Sequence, residues 1–97
     1  MKVRYSQRAL RELGGILAYV ETRDQSAARR IATYIEQLMS RVAKFPEAAE
    51  RIAQRPNVHR VPFVRYPYAL YYFIDPNKQE VTVLRIIHGA RRVPFER

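Results

Sequence analysis

The side chains best suited to chemistry in this sequence are cationic, and most lie around its last predicted strand. A guanidinium group can bind a phosphate or a carboxylate through two parallel hydrogen bonds. An imidazole, with an ordinary pKa of about 6.5, can act as a general acid or base. An earlier predicted edge strand would add two further arginines to the same basic surface. The candidate target-binding residues are Arg60, Arg65, Arg85, His88, Arg91 and Arg92.

Arg85 and His88 each have a structural as well as a functional interpretation. They lie an odd number of residues apart in one strand, so their side chains are predicted on opposite faces of the sheet. Arg85 needs a partner among apolar neighbours, either a structural ion pair with Glu36 or Glu47 or a phosphate. His88 is either a general acid–base group or a hydrogen-bonded residue at a strand end. The predicted face of Arg85 also carries Val81, Val83 and Ile87.

The sequence lacks the standard motifs of enzyme active sites. It contains no P-loop, no dinucleotide-binding glycine fingerprint, no HExxH and no GxSxG. It has no cysteine, and His59 and His88 lie 29 residues apart without carboxylates at metal-ligand spacing. We therefore expect no metal site, no cofactor and no cysteine nucleophile.

The charge balance of the 97 residues is strongly basic, with 18 Lys and Arg against 9 Asp and Glu and a net charge of +9. Most of the cations are arginines, which suits a nucleic acid or an acidic protein as partner. The alternative is a merely solvated basic surface. No apolar run is long enough to span a bilayer, and no secretory signal is recognisable. We expect one cytoplasmic domain over residues 1–97, without a membrane partner.

The first half of the sequence predicts a short strand followed by an antiparallel helical hairpin. The strand alternates apolar and charged residues, whereas both helices repeat apolar residues at helical spacing. Gly14 and Gly15, in the middle of the first helix, are expected to have a packing role. The predicted elements are a strand at Lys2–Tyr5, a helix over about 7–22 capped by Ser6, a link at 23–25, and a helix capped by Ser26 that ends near residue 44.

The second half predicts a meander of strands. Pro62 has no N–H to donate, so its strand is expected at a sheet edge or a bulge. The run YALYYFI is typical of a central strand and places Tyr71 and Tyr72 in the core. Tyr66 and Tyr68 remain as candidate exposed residues for stacking on bases. The predicted elements are a helical turn at 47–54, strands at 58–65, 68–74 and 80–88, and a turn at 75–78. This order indicates an α+β fold, with the hairpin on one face of a small, mainly antiparallel sheet.

Several segments give the chain a family resemblance along nearly its whole length. They are KVRYSQRALREL, SAARRIATYIEQLMSRVAKFPE, YALYYFID and, most specifically, VTVLRIIHGARR. The chain resembles the RelE/ParE superfamily of type II toxin–antitoxin toxins, and its last segment is similar to the ParE branch. The resemblance implies a small basic domain in which a two-helix hairpin packs on an antiparallel sheet.

The resemblance implies one of two activities. ParE-like members poison DNA gyrase by stabilising its cleaved complex with DNA, whereas RelE-like members cleave mRNA on the ribosome. In the ribonuclease branch an arginine usually stands where this chain has Ala69, and some members have a catalytic histidine where it has Ile87. These apolar residues cannot activate a ribose hydroxyl or stabilise a phosphate, so a non-enzymatic gyrase poison is favoured. A ribonuclease, the alternative, would use Arg60, Arg85 and His88.

Both activities imply a cognate antitoxin, ParD-like or similar, with an acidic C-terminal segment that is disordered until it binds. Operator DNA would then be contacted only indirectly, through the antitoxin. A second alternative is a non-toxic basic domain that binds nucleic acid directly. The candidate antitoxin-binding residues are Leu13, Leu17, Val20, Tyr34 and Leu38.

Overall fold

The computed structural model describes residues 1–90, and residues 91–97 lie outside the described part of the chain. The elements are β1 (Lys2–Tyr5), α1 (Gln7–Glu21), α2 (Gln25–Lys44), β2 (Glu50–Arg51), β3 (Val58–Pro62), β4 (Tyr68–Asp75) and β5 (Glu80–His88). The strands form one sheet in the order β1-β5-β4-β3-β2. β1 runs parallel to β5, and the other neighbouring pairs are antiparallel. The predicted α+β architecture is confirmed.

The helical hairpin begins at two side-chain caps. Ser6 caps α1, as predicted, because its hydroxyl accepts a hydrogen bond from the Ala9 N–H at 3.0 Å. The prediction that Ser26 caps α2 is wrong, since Asp24 accepts from the Ala27 N–H at 3.2 Å. A carboxylate is a good acceptor at a helix N-terminus, where it also meets the positive end of the helix dipole. The link between the helices, residues 22–24, has the predicted length of three residues but lies one residue earlier than predicted.

The segment after α2 forms a strand rather than the predicted helical turn. Glu50 and Arg51 make the two-residue strand β2, which pairs antiparallel with β3. The imidazole Nδ1 of the buried His59 lies 2.8 Å from the Ala49 carbonyl oxygen and holds the approach to this strand. Tertiary pairing has overridden the local helical pattern, which is a weak determinant by itself.

The main core lies between the sheet and α2. The predicted α2 stripe is confirmed, and its buried residues meet Leu70 and Tyr72 of β4 and three apolar residues of β5. α1 is covered much less, because Ala9 is its one fully buried residue. Leu10 and Tyr19 remain 52% and 57% exposed. The hairpin therefore presents apolar α1 side chains at its surface. The buried α2 residues are Ala28, Ile31, Ile35, Leu38, Met39 and Val42.

The two adjacent glycines do not have the predicted packing role. A Cβ added at Gly14 or at Gly15 would meet no heavy atom within 4 Å. α1 runs through both positions as one helix from Gln7 to Glu21. Within the described residues, no close contact therefore requires glycine at either position.

A β-bulge in the central strand pair changes which residues share a face. Tyr71 lies opposite Arg85 and the next residue, Tyr72, lies opposite Val83, so Leu84 is the extra residue. The prediction that Arg85 shares a face with Val81 and Val83 is therefore wrong. Those valines pack in the helix-side core, whereas Tyr71, opposite Arg85, belongs to a second apolar cluster. A bulge of this kind redirects side chains because it inserts one residue into the alternation.

Candidate functional site

The candidate site is the face of the sheet that carries Arg60 and Tyr71. β3 and β4 place these two residues opposite each other. The Arg60 Nε donates to the Tyr71 hydroxyl at 3.1 Å, and Nη2 donates to the Gly89 carbonyl at 3.3 Å. The guanidinium carbon lies 5.9 Å from the centre of the Tyr71 ring. Arg60 is thus half-buried and oriented, and it connects β3 to the chain just after β5.

Arg85 forms a structural ion pair, but its partner is neither Glu36 nor Glu47. Its Nε and Nη2 donate to Glu12 Oε2 at 2.8 and 2.7 Å, and Arg85 is only 6% exposed. The other oxygen, Glu12 Oε1, accepts from the Ile86 N–H at 3.0 Å. A guanidinium held in this way has little surface left for a phosphate.

Glu12 has this role because β1 is shorter than β5. β1 ends at Tyr5, opposite Val83, so the edge of β5 has no strand partner beyond that point. Ser6 donates to the Leu84 carbonyl at 3.1 Å, and Glu12 then satisfies the Ile86 N–H. Burial by itself would raise the pKa of the Glu12 carboxyl. Hydrogen bonds from Arg85 and the Ile86 N–H, with the positive charge of Arg85, outweigh it and lower that pKa. No sequence pattern had marked Glu12.

The centre of the site face is apolar. Ala69 lies directly opposite Ile87 across the β4–β5 pair, and both are buried in a cluster with Val58 and Tyr71. These are the two positions at which the resemblance implies charged groups in a ribonuclease. An isolated charge would be costly in such a cluster, and within residues 1–90 no acid–base group stands at either position.

His88 lies apart from Arg60 and Arg85, on the opposite face, as predicted. Its register partner is Tyr68, which packs against the helix-side core. The exposed imidazole lies 6.1 Å from the Tyr68 ring, and its Nδ1 accepts from the Ala90 N–H at 3.2 Å. The structure therefore does not bring the three proposed ribonuclease residues together.

The other predicted target-binding residues are on loops or beyond the described chain. Arg65 was placed on the edge strand, but β3 ends at Pro62 and Arg65 lies exposed in the β3–β4 loop. Its φ of 74° is left-handed, which is strained for a residue with a Cβ. Arg91 and Arg92 fall outside the described residues.

The predicted antitoxin-binding residues divide by accessibility. Leu13, Leu17 and Val20 are half-buried along α1. Tyr34 is half-buried and accepts from the Val64 N–H at 2.9 Å. Leu38, however, is 4% exposed and belongs to the core, so it offers no surface for a partner. Leu10 and Tyr19, two large side chains of α1 that are mostly exposed, were not among the predicted antitoxin-binding residues.

The predicted base-stacking tyrosines are only partly available. Tyr66 packs edge-on against Tyr34, with ring centres 5.4 Å apart. Tyr68 packs in the same way against Phe63, at 6.3 Å. Tyr71 and Tyr72 are buried in the sheet, as predicted.

Among residues 1–90 no three His, Cys, Asp or Glu side chains are grouped so that they could hold a metal ion. Over the same residues neither helix is long and apolar enough to cross a membrane.

Known proteins resemble this chain in sequence and in fold. "Putative toxin Y4kP" of Sinorhizobium fredii is 29% identical over 93 residues, covering 96% of this chain and 93% of that protein. The structure of a chromosomal ParDE toxin–antitoxin system from P. aeruginosa matches with a TM-score of 0.76 at 18% identity, covering 91% of this chain and 95% of that one. The intact E. coli RelBE toxin–antitoxin complex matches with a TM-score of 0.67 at 17% identity, covering 93% of this chain and 98% of the matched chain.

The family assignment rests on a match to a protein-family model. The model of the ParE toxin of the type II toxin–antitoxin system parDE matches residues 3–93, which is nearly the whole chain. The fold, with two helices on a mixed five-stranded sheet, agrees with the solved structures of both ParE and RelE toxins. The chain therefore belongs to the ParE toxin family of type II toxin–antitoxin systems, within the RelE/ParE superfamily.

Proposed function

We propose that this toxin arrests growth by poisoning DNA gyrase through binding, without catalysing a reaction itself. The observation that carries the proposal is the Ala69–Ile87 pair at the centre of the site face. RNA cleavage needs a base for the ribose hydroxyl and cations for the phosphate. Two buried apolar side chains provide neither, while Arg85 is neutralised by Glu12.

The cationic groups that remain exposed suit a binding role. Arg65 and His88 are exposed near the same end of the sheet, because Arg65 lies in the loop before β4 and His88 pairs with Tyr68 at the start of β4. The net charge of the chain is +9. Such a surface attracts acidic protein and the DNA backbone over several ångströms, and the attraction is weakened by salt. With Arg60, Arg91 and Arg92 it forms the proposed target-binding surface.

Purified gyrase and plasmid DNA test this proposal directly. The full-length chain should block supercoiling and accumulate linear DNA from the trapped cleavage complex. Arg65→Gln should weaken this effect at least about tenfold if it contacts a phosphate or carboxylate, whereas Lys78→Gln removes one charge from the β4–β5 turn and should not. Unaffected supercoiling at an excess of toxin would overturn the proposal.

The ribonuclease alternative is supported by one arrangement. Arg60 and Tyr71 are hydrogen-bonded on a single face, and solved RelE toxins share this fold. The ribonuclease alternative is distinguished from the gyrase proposal by measuring chromosome breaks and mRNA cleavage together in cells that express the chain. Codon-phased cuts in translated mRNA with intact chromosomes would replace the gyrase proposal. Double-strand breaks with intact mRNA would support it.

We also propose that an antitoxin neutralises the chain by covering the apolar side of α1. Leu13 and Leu17 are half-buried there, and Leu10, which precedes them by three and seven residues on the same side of the helix, is largely exposed. An amphipathic segment could bury these side chains, and acidic groups on it would complement the +9 charge. The solved ParDE and RelBE systems are toxin–antitoxin assemblies of the same fold.

The antitoxin proposal has a matched pair of variants. Leu17→Glu and Leu17→Arg remove the same apolar group but introduce opposite charges. Against an acidic antitoxin encoded beside the toxin, the Glu variant should bind at least about tenfold more weakly than the Arg variant. Equal affinities would show that the acidic segment does not bind along α1.

A further inference from the structure

A second basic surface lies between α2 and the loop that joins β3 to β4. It is an open depression of about 480 Å³. None of the residues of the Arg60–Tyr71 face lines it. Its lining includes Ser26, Arg29, Arg30 and Thr33 of α2, with the rings of Tyr34 and Tyr66.

The two walls of this depression are held together by Tyr34. Its hydroxyl accepts from the Val64 N–H at 2.9 Å, which ties the loop to the helix. Its ring lies 5.2 Å from that of Phe63 and 5.4 Å from that of Tyr66. α2 and the loop therefore keep their relative positions without a ligand, which lowers the cost of binding one.

The lining has the chemistry of an anion site. Among the residues that the structure describes, it consists of guanidinium, hydroxyl and amide groups with two tyrosine rings, and it includes no carboxylate. The nearest acid is Asp24, whose Oδ2 is 3.9 Å from Arg30 Nη2, and both side chains are more than half exposed. An exposed pair at that distance is weak, so Arg30 can exchange it for a better acceptor.

We propose that this depression binds phosphates of a nucleic-acid backbone. Arginine forks match phosphate oxygens bidentately, and the hydroxyls of Ser26 and Thr33 add donors. An acidic amphipathic peptide fits less well, because such a segment needs an apolar groove for its anchors and the apolar part of this lining consists of two tyrosine rings that already pack against each other. The inference goes beyond the proposed function, since it concerns the isolated chain and does not depend on gyrase.

The test is binding of a fluorescein-labelled DNA duplex to the full-length chain, measured by fluorescence anisotropy over a range of salt concentrations. Arg29→Gln with Arg30→Gln removes two cations while retaining helix propensity. The control, Arg11→Gln with Lys78→Gln, lowers the net charge equally at exposed positions elsewhere. Far-UV circular dichroism establishes that all variants are folded.

The site variant should bind about tenfold more weakly than the control at about 100 mM salt. The slope of log K against log salt should also become shallower by about 2, because two phosphate contacts are lost. Arg29→Lys with Arg30→Lys should restore the slope, since it restores the charges. Equal binding by the site and control variants would overturn the proposal.

A competition with poly-L-glutamate separates phosphate from carboxylate recognition. If the site variant loses affinity for DNA but not for poly-L-glutamate, the assignment to phosphates is supported. Equal losses for both polymers would overturn it, because the depression would then respond to negative charge alone and suit an acidic protein.

Discussion

Replacement of Glu12 should destabilise the toxin more than replacement of any other single carboxylate on the two helices. The Glu12 carboxylate accepts three hydrogen bonds, two from Arg85 and one from the Ile86 N–H, at 2.7 to 3.0 Å. In Glu12→Ala the nearly buried guanidinium loses its partner and the strand edge loses its acceptor. Removing one member of a buried ion pair costs about 3–5 kcal/mol. Because the Glu12 side chain is 20% exposed and water can reach it, we expect about 3 kcal/mol.

Glu12→Gln should cost less, about 1–2 kcal/mol, because an amide oxygen can still accept one hydrogen bond. For a domain of this size, 3 kcal/mol corresponds to a fall in Tm of roughly 12–24 °C. Urea and thermal unfolding followed by circular dichroism measure both quantities. Glu21→Ala, which removes an exposed carboxylate from the same helix, is the control and should change stability by less than about 0.5 kcal/mol.

The Glu12 contribution should also depend on pH. Its pKa is lowered in the folded chain, so the folded state binds the proton less readily than the unfolded state. The stabilisation is therefore complete above the unfolded pKa of about 4.3 and is lost as pH falls through the folded value. The difference in unfolding free energy between the wild type and Glu12→Gln should be constant near neutral pH and shrink below about pH 4.

Adding Arg85→Met to Glu12→Ala should recover part of the lost stability, because no unpaired guanidinium then remains buried. This double variant separates the ion pair from the loss of the Ile86 acceptor. A cost below about 1 kcal/mol for Glu12→Ala, or no recovery on adding Arg85→Met, would refute the conclusion that Arg85 is a structural residue held by Glu12.

Three further predictions concern stability and activity. Gly14→Ala and Gly15→Ala should each stabilise the chain by about 0.5–1 kcal/mol in urea unfolding, since a Cβ meets nothing within 4 Å; destabilisation by either change would contradict the absence of a packing role for these glycines. Asp24→Ala should cost about 1 kcal/mol in the same assay through loss of the α2 cap, whereas Ser26→Ala should cost less, and the reverse order would restore Ser26 as the cap. Arg65→Gly should raise the Tm by relieving the left-handed backbone at φ 74° yet weaken gyrase inhibition, and full inhibition by this variant would exclude Arg65 from the target-binding surface.

Parts of the site could be read from the sequence and others could not. The basic residues were identifiable from their type, and the opposite faces of Arg85 and His88 followed from strand alternation, which the bulge at Leu84 left unchanged between those two positions. The partner of Arg85 was not predictable, because Glu12 lies 73 residues earlier in the chain. Leu38 was also predicted to bind the antitoxin, but its burial in the α2 stripe leaves it no surface for a partner.

The sequence by itself determined the elements whose cause is local. Helical spacing of apolar residues placed α2, an alternation of period two placed β1, and the Asp75 side chain, which accepts from the Asn77 and Lys78 N–H groups at 3.0 and 3.2 Å, formed the predicted turn. These features depend on neighbours within a few residues. The free energies of forming these features therefore depend on residue types and spacing, which can be read directly from the sequence.

Only the tertiary structure decided the features that depend on distant partners. β2 forms because β3 offers it hydrogen bonds, and β1 joins the sheet in parallel beside β5. β1 also ends opposite Val83, so the edge of β5 has no strand partner beyond that point. Glu12 therefore accepts from the Ile86 N–H there and pairs with Arg85. A buried N–H or guanidinium must find an acceptor wherever the fold supplies one, and spacing along the chain does not reveal which residue that will be.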